Sequence, residues 1–268
     1  MEGKSVSKYI FIYKTSFLES IQYVLNIIFR FITFLVMIFV FINLWDYIYS
    51  DSSNIIGGYT KSQMIWYVIV TEIIWFGANN RAVINQITTD IKSGNISYGI
   101  NKPYHYVLFM ITKYFGEITL RFAMFIMIGG LVGFLFVGPI DGFLWHRVPI
   151  VLFVTLLGLF INISIRMIIS ILSFWMEDST PFHWIYDKFI IVIGTIFPVE
   201  VFPLWARGII SFSPIYVVNY GPAKLTIDFS YNVFRSVILA QSIYFVLSFS
   251  LLMFLYKKGV KKLNVNGG

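Results

Sequence analysis

Runs of apolar residues, separated by short polar segments, occupy most of the chain, and the first run has a helical period. In residues 5–29, apolar side chains recur at steps of three and four, the spacing of one face of an α-helix. They are Val6, Ile10, Tyr13, Phe17, Ile21, Val24 and Ile28. Lys8, Lys14, Ser16 and Glu19 fall outside this stripe. An apolar face with flanking lysines is typical of a helix on the membrane surface, so we predict an interfacial helix over residues 5–29.

The later runs are long enough to cross a bilayer, which needs ~20 consecutive apolar residues per helix. They predict six transmembrane helices, over residues 23–48, 60–78, 118–137, 150–175, 182–197 and 237–256. The polar residues 51–54, with Gly57 and Gly58, indicate a loop after the first span. Thr60 and Gln63 have the spacing of a capping box, which predicts that the second helix begins there.

The chain after the fifth predicted span is broken into pieces. Residues 204–225 form two apolar stretches, each too short to cross a membrane. The helix-breaking and polar residues of this region are Pro198, Glu200, Pro203, Ser213-Pro214 and Gly221-Pro222. Backbone that leaves a helix at membrane depth must be shielded by protein or line a cavity. We predict that residues 198–232 form a re-entrant segment before the last span, with a plain extracellular loop as the alternative.

Composition supports a membrane protein. Hydrophobic residues make up 58% of the 268 residues and charged residues 12%, whereas a soluble domain averages ~45–50% and ~25%. The chain therefore lacks the polar surface that a soluble protein of this size needs. We predict an all-α polytopic membrane protein, with residues 1–268 forming a single transmembrane domain. The absence of cysteine excludes disulfides.

The net charge of +7 could indicate nucleic-acid binding, but the basic residues lie at the ends of the apolar runs. That distribution instead predicts the orientation of the chain in its membrane. With the amino terminus inside, the inner segments hold 15 of the 20 lysines and arginines. The five on the outer segments are Lys61, Arg147, Arg207, Lys224 and Arg235. We therefore predict that both termini are cytoplasmic and that the chain does not bind nucleic acid.

Motifs of enzymes and metal sites are absent from the sequence. His105, His146 and His183 fall in separate predicted loops or span ends, and no H-E-x-x-H pair occurs. There is no G-x-S-x-G nucleophile elbow and no G-x-x-x-x-G-K-[ST] phosphate loop. The chain is therefore not expected to hydrolyse ATP or to bind a metal, and a membrane-embedded enzyme is disfavoured.

Glu72 lies near the middle of the second predicted span. A carboxylate inside a membrane is costly, so it is expected to face a partner, a polar cavity or a substrate path. A structural hydrogen bond is one interpretation, and a proton- or ion-coupled secondary transporter that uses Glu72 is another. A proton relay would need further buried acids, and the other clear spans contain none.

Two stretches of the sequence carry a family resemblance. Residues 91–103 contain a Gly, a hydrophobic residue, a Tyr and a basic-Pro pair in that order. The second stretch begins at residues 174–178 and continues with Phe197-Pro198, Phe202-Pro203, Ser213-Pro214 and Tyr220-Gly221-Pro222-Ala223. With the predicted spans, nearly the whole chain resembles the type-2 class of ABC exporter permeases, in particular a bacterial subfamily with largely unassigned substrates. That class shares an interfacial amino-terminal helix, six spans and a re-entrant helix pair before the sixth.

The resemblance implies partners and a mechanism. The protein is expected to be the permease of an ATP-driven exporter in a bacterial inner membrane, paired with itself or with a sister permease. A separate cytosolic ATPase subunit would bind ATP and Mg, so this chain needs no cofactor of its own. An aromatic-rich, apolar pathway favours an amphipathic or hydrophobic cargo such as a drug, a lipid or a peptide.

Residues 79–117, between the second and third spans, would then form a cytoplasmic coupling region that docks on the ATPase. The candidate coupling residues are Asp90, Ile91, Lys92, Gly94, Tyr98, Lys102 and Pro103. The candidate gate or pathway residues are Glu72, Pro198, Glu200 and Pro203. A loop of this length usually has a function of its own.

The predicted orientation can be tested by cysteine labelling, for which the cysteine-free chain offers a clean background. Single cysteines at Ser53 and Ser230 are expected to react with an impermeant thiol reagent added to intact cells. A cysteine at Ser93 is expected to react only after the cells are opened. Labelling of Ser93 in intact cells would overturn the orientation.

Overall fold

The described part of the chain, residues 2–22, 24–50 and 55–266 of the computed structural model, is helical throughout and contains no β-strand. The α-helices are α1 (Glu2–Gln22), α2 (Val24–Ile48), α3 (Lys61–Ala78), α4 (Arg81–Lys92), α5 (Ile96–Ile100), α6 (Tyr106–Phe136), α7 (Val148–Ile171), α8 (Thr180–Phe189), α9 (Leu204–Ser211), α10 (Gly221–Ile227) and α11 (Tyr231–Asn266). Two π-helices cover Ile190–Ile196 and Tyr216–Tyr220. The predicted start of the first span at Tyr23 and the predicted loop 51–54, which contains Ser53, lie outside the described residues.

Four helical stretches of the described chain are long and apolar enough to cross a membrane. They are Ile27–Ile48, Tyr106–Phe136, Trp145–Phe174 and Tyr231–Leu263. These stretches match the first, third, fourth and sixth predicted spans. α3, and α8 with the π-helix after it, stand at the second and fifth. The all-helical class is confirmed, while the count of six spans and the re-entrant segment stay predictions.

The bundle has two ends. At the coupling end, α4 and α5 connect α3 to α6, and α7 meets α8. At the far end lie the α6–α7 loop and the segment 198–232. Both terminal helices reach the coupling end, where the Lys8 amine donates to the Pro103 carbonyl at 2.5 Å and the Lys262 amine donates to the Phe174 carbonyl at 2.9 Å.

α3 is the central helix of the bundle, with 12 of its 18 residues buried. Its amino-terminal capping box forms as Thr60 and Gln63 predict. α3 packs closely on α6 because Gly129 and Gly133 lack side chains. A Cβ added at these positions would lie 2.7 Å from Ile73 and 2.4 Å from Trp66.

α1 packs along the first half of α6. A Cβ added at Gly116 of α6 would lie 2.7 Å from the Tyr13 carbonyl oxygen and 2.8 Å from the Ser16 Cβ. The Tyr13 hydroxyl is hydrogen-bonded to the Thr119 hydroxyl at 2.9 Å. Ser16 is therefore on the face of α1 that packs against α6, although it lies outside the predicted apolar stripe. Its small side chain allows the two helices to approach closely. Ile10, a member of the stripe, is 51% exposed.

α6 begins at Tyr106, well before residue 118, where the third span was predicted to start. Lys113 and Glu117, which precede the predicted start, have partners along this continuous helix. The Lys113 amine donates to the Gln86 amide oxygen at 2.7 Å and lies 3.7 Å from the Glu117 carboxylate. Since these charges have partners, they do not interrupt the helix.

The segment 198–232 is only partly broken as predicted. The fifth helical run ends at Ile196, directly before Phe197-Pro198, and α9 ends at Ser211, before Ser213-Pro214. The predicted break at Gly221-Pro222 is wrong, because the π-helix Tyr216–Tyr220 runs directly into α10. Proline has no N–H to donate to the turn before it, and in that turn the Val217 carbonyl accepts a hydrogen bond from the Gln241 side chain of α11 at 2.9 Å.

The α1–α6 contact makes a prediction with a matched control on the same helix. Gly116→Ala is expected to lower the free energy of unfolding by about 1–3 kcal/mol, since the added methyl has no room. Gly130→Ala should be neutral or stabilising, because its Cβ meets nothing within 4 Å and alanine favours a helix. Unfolding in detergent, followed by circular dichroism, compares them. Equal stability of the two variants would contradict the packing.

Candidate functional site

The coupling end begins at the last turn of α3, whose backbone carbonyls are held by side chains from other helices. Carbonyls at a helix end have no partner within the helix. The donor–acceptor pairs are Arg121 Nε to Gly77 (3.0 Å), Tyr114 Oη to Ala78 (2.8 Å) and Arg30 Nη1 to Asn79 (3.1 Å). We call these six residues the carbonyl clamp. Two of the donors are cations, which the negative end of a helix dipole favours.

Directly after the clamp, Asn80 turns the chain into α4. Its side-chain oxygen faces the Val83 N–H at the start of α4, and its side-chain nitrogen donates to the Glu117 carboxylate at 2.7 Å. Asn80 is 4% exposed. α4 therefore leaves the bundle at a corner that is fixed on both sides.

A buried ion pair joins α7 to α8 beside this corner. Arg166 Nη2 lies 2.7 Å from the Asp187 carboxylate, and their side chains are 2% and 7% exposed. The contact is a close ion pair rather than an aligned hydrogen bond. Arg81 at the start of α4 approaches the other Asp187 oxygen at 3.2 Å. Asp187 thus connects α4, α7 and α8.

Further polar contacts attach α4 to the same two helices. The Ser170 hydroxyl of α7 donates to the Ile84 carbonyl at 3.3 Å. The ammonium of Lys92 lies 3.7 Å from the Asp178 carboxylate. Both side chains are exposed to solvent. The Thr180 backbone N–H donates to Asp178, and this bond, with the charge of Lys92, lowers the pKa of that carboxyl.

The predicted coupling residues divide into an inner and an outer set. Asp90 accepts a hydrogen bond from the Tyr106 hydroxyl at 2.8 Å, and Ile91 is buried, so both bind the region to the bundle. Lys92, Lys102, Pro103 and Tyr98 are exposed.

Gly94 and Tyr98 shape the exposed part of the coupling region. Gly94 has a φ of +74° between α4 and α5 and meets nothing within 4 Å at its Cβ position, so it makes a turn that other residues would strain. The Tyr98 side chain on α5 is 74% exposed. An exposed aromatic side chain on a short helix is available for contact with another protein.

The predicted gate residue Glu200 lies among side chains at the far end. The Tyr220 hydroxyl donates to Glu200 Oε1 at 2.5 Å, and the Lys224 amine lies 3.6 Å from the same oxygen. Lys224 also lies 4.4 Å from the centre of the Tyr59 ring. We call Glu200, Tyr59, Tyr220 and Lys224 the far-end cage. Pro198 is buried beside the cage, and Pro203 is exposed at the start of α9.

Comparison with known families identifies the chain. A family model described as "ABC-2 family transporter protein" matches residues 14–267. The chain belongs to the ABC-2 transporter family. A search of curated proteins gives no match. Together with the apolar helices, family membership makes the protein a multi-pass membrane transport component.

In this ABC-2 transporter, Glu72 is buried in the middle of α3. It is 5% exposed, and its Oε2 atom has no hydrogen-bond partner among the described residues. Its neighbour Thr71 donates to the Thr195 carbonyl at 2.9 Å, in the π-helix after α8. Tyr67, one turn earlier, donates to the Gly194 carbonyl at 3.0 Å. α3 therefore holds this π-helix, but Glu72 itself has no such role.

Sequence reasoning missed the connection between Arg166 and Asp187. Both residues were visible as charges in or near predicted spans, and opposite charges in neighbouring spans are a usable signal, because buried charges in membranes pair with one another. Tyr220 was noted only as part of a family motif and Lys224 only as an outer basic residue, so their contacts with Glu200 were missed as well. No group of three or more potential metal ligands occurs in the part of the chain that the structure describes.

The buried pair generates a prediction. Asp187→Asn is expected to lower the free energy of unfolding by about 3–5 kcal/mol, because it leaves Arg166 as an uncompensated buried charge. Asp178→Asn, which removes the exposed partner of Lys92, should have little effect. Denaturant unfolding in detergent measures both. Similar stability of the two variants would contradict the assignment of Asp187 as the residue that joins the helices.

Proposed function

We propose that this ABC-2 transporter is the permease subunit of an ATP-driven exporter and works with a separate cytosolic ATPase subunit. The coupling end carries the proposal. There, a short helical region projects from the bundle while its inner face is fixed to α6 by Asp90, to α7 by the Ile84 carbonyl and to α8 by Arg81. When a partner displaces a surface that is fixed to several helices, all of those helices can move with it.

The coupling end also has the charge expected of a cytoplasmic surface. Most of the lysines and arginines of the chain fall in the segments that meet at this end, among them Lys8, Lys92, Lys102 and the tail lysines. The positive-inside rule then places this end in the cytoplasm, together with both termini. A bacterial inner membrane fits this arrangement, since the ATPase would be cytosolic.

A second permease completes the proposed complex, either another copy of this chain or a sister protein. The exposed apolar residues along the outside of the bundle would contact that permease or lipid. On α2 they include Phe29, Ile32, Leu35, Val36, Phe39 and Val40. Cargo moved outward between such surfaces would be amphipathic or hydrophobic, such as a drug, a lipid or a peptide.

A secondary transporter driven by protons or other ions is the second candidate function. The observation that favours it is the buried Oε2 atom of Glu72, which has no hydrogen-bond partner within the described ranges. A carboxylate that takes up and releases a proton within a span would require this kind of environment. Transport that depends on a proton gradient, is unaffected by removal of ATP and is lost in Glu72→Gln would establish this candidate instead.

The proposed partnership is tested by association with the ATPase. Coexpressed with candidate cytosolic ABC ATPase subunits, the permease is expected to copurify with one of them, and the permease alone should hydrolyse no ATP. Tyr98→Glu should weaken the association at least about tenfold, because aromatic residues at protein interfaces often contribute ~2 kcal/mol or more. Tyr231→Glu is the matched control, since Tyr231 is also exposed but lies at the far end.

Two outcomes would contradict the proposal. One is ATP hydrolysis by the purified permease without a partner. The other is unchanged association of the Tyr98→Glu and Gly94→Val variants, provided that both insert and fold as the unaltered protein does.

A further inference from the structure

Two adjoining cavities open at the far end, outside the far-end cage. The larger, of about 710 Å³, lies between α3, α6, α7 and α10 and is lined almost entirely by apolar side chains. The smaller, of about 220 Å³, has a polar lining that includes Gln63, Asp141, Arg147 and Asp228. Phe143, Val151 and Thr226 line both cavities, so the two lie side by side.

The larger cavity is open to the bilayer side of the protein. Ile126 and Phe134 of α6 and Leu152 of α7 line it and are 40%, 59% and 43% exposed. α6 and α7 both belong to stretches apolar enough to cross a membrane. Its volume falls in the ~300–1,000 Å³ range of ligand pockets. An apolar chain can therefore enter it sideways from the lipid.

The smaller cavity is lined by the positively charged side chain of Arg147. Arg147 forms no ion pair among the described residues, and its buried Nε atom has no hydrogen-bond partner there. Its guanidinium lies 4.6 Å from the centre of the Phe229 ring, which fixes its position. Asp228 is already paired with Lys224 at 2.6 Å, whereas the exposed Asp141 has no such pair within the described ranges.

We propose that the two cavities form one binding site for a zwitterionic phospholipid of the leaflet at the far end. The acyl chains occupy the larger cavity, the phosphate lies against Arg147, and the amine of the headgroup faces Asp141. Arginine binds phosphate strongly because its planar fork of donors matches the phosphate oxygens. The apolar cavity alone would accept any hydrophobic molecule. The charges of Arg147 and Asp141 beside it select for a zwitterionic phospholipid.

The site is tested by binding to the purified permease, without an ATPase, so its failure would leave the proposed partnership untouched. Native mass spectrometry would measure binding of three diacyl lipids with the same chains: phosphatidylethanolamine, phosphatidylglycerol and diacylglycerol. Phosphatidylethanolamine is expected to bind most tightly, because it alone carries both charges. Tighter binding of phosphatidylglycerol would overturn the role of Asp141.

Two variants separate the two parts of the site. Arg147→Gln should weaken phosphatidylethanolamine binding about tenfold or more, as loss of a charged hydrogen bond implies, and leave diacylglycerol binding unchanged. Gly130→Leu should weaken both lipids, since Gly130 lines the larger cavity and its added side chain would project into open space. If Gly130→Leu does not fold, Ile126→Trp narrows the same cavity from an exposed position.

The matched controls lie at the far end but outside both cavities. Arg235→Gln is the control for Arg147→Gln, since it removes the charge of an exposed arginine. Gly208→Leu is the control for Gly130→Leu, since a Cβ at Gly208 also meets nothing within 4 Å. Both should bind all three lipids as the unaltered protein does. Unchanged phosphatidylethanolamine binding by Arg147→Gln, or unchanged binding of both lipids by the cavity-filling variant, would refute the site.

Discussion

The last two carbonyls of α3 and the carbonyl of Asn79, which caps it, impose the constraint on which the coupling end depends. At the edge of a membrane-embedded bundle, water is not freely available to hydrogen-bond them, and each unpaired group would cost several kcal/mol. Arg30 of α2 and Tyr114 and Arg121 of α6 supply the donors. The same bonds that satisfy the backbone therefore fix the point at which the chain leaves the bundle for α4.

From this corner, two connections run through the molecule. One joins α4 to α7 and α8 through the buried Asp187 and its two arginines. The other follows α3 to the π-helix Ile190–Ile196, which α3 holds by hydrogen bonds from Tyr67 and Thr71. π-Helical turns are uncommon and often occur at functional positions. Through α3, α4 is thus connected to the π-helix that precedes Pro198 and Glu200.

The sequence predicted those features that depend on local chemistry. The capping box at Thr60, the helix end before Phe197-Pro198 and the apolar length of four spans all follow from residues close together in the chain. Features that depend on which helix faces meet could not be predicted in this way. Asp90 points inward because Tyr106 stands opposite it, and Arg166 meets Asp187 only because α8 packs beside α7. The Gly221-Pro222 pair misled for the same reason, because Gln241, distant in the sequence, donates to the Val217 carbonyl in the turn before the proline.

We propose that α4, α7 and α8 move as one unit when an ATPase acts on the coupling end. Spin labels on cysteines introduced at the exposed Thr89 of α4 and Trp184 of α8 would report it, by distance measurement in the assembled complex with and without ATP. If the three helices move together, the Thr89–Trp184 distance changes by less than about 2 Å, the scale of small helix shifts. A change on the order of 5 Å, one helical turn, would show that α4 slides past α8 and would contradict it.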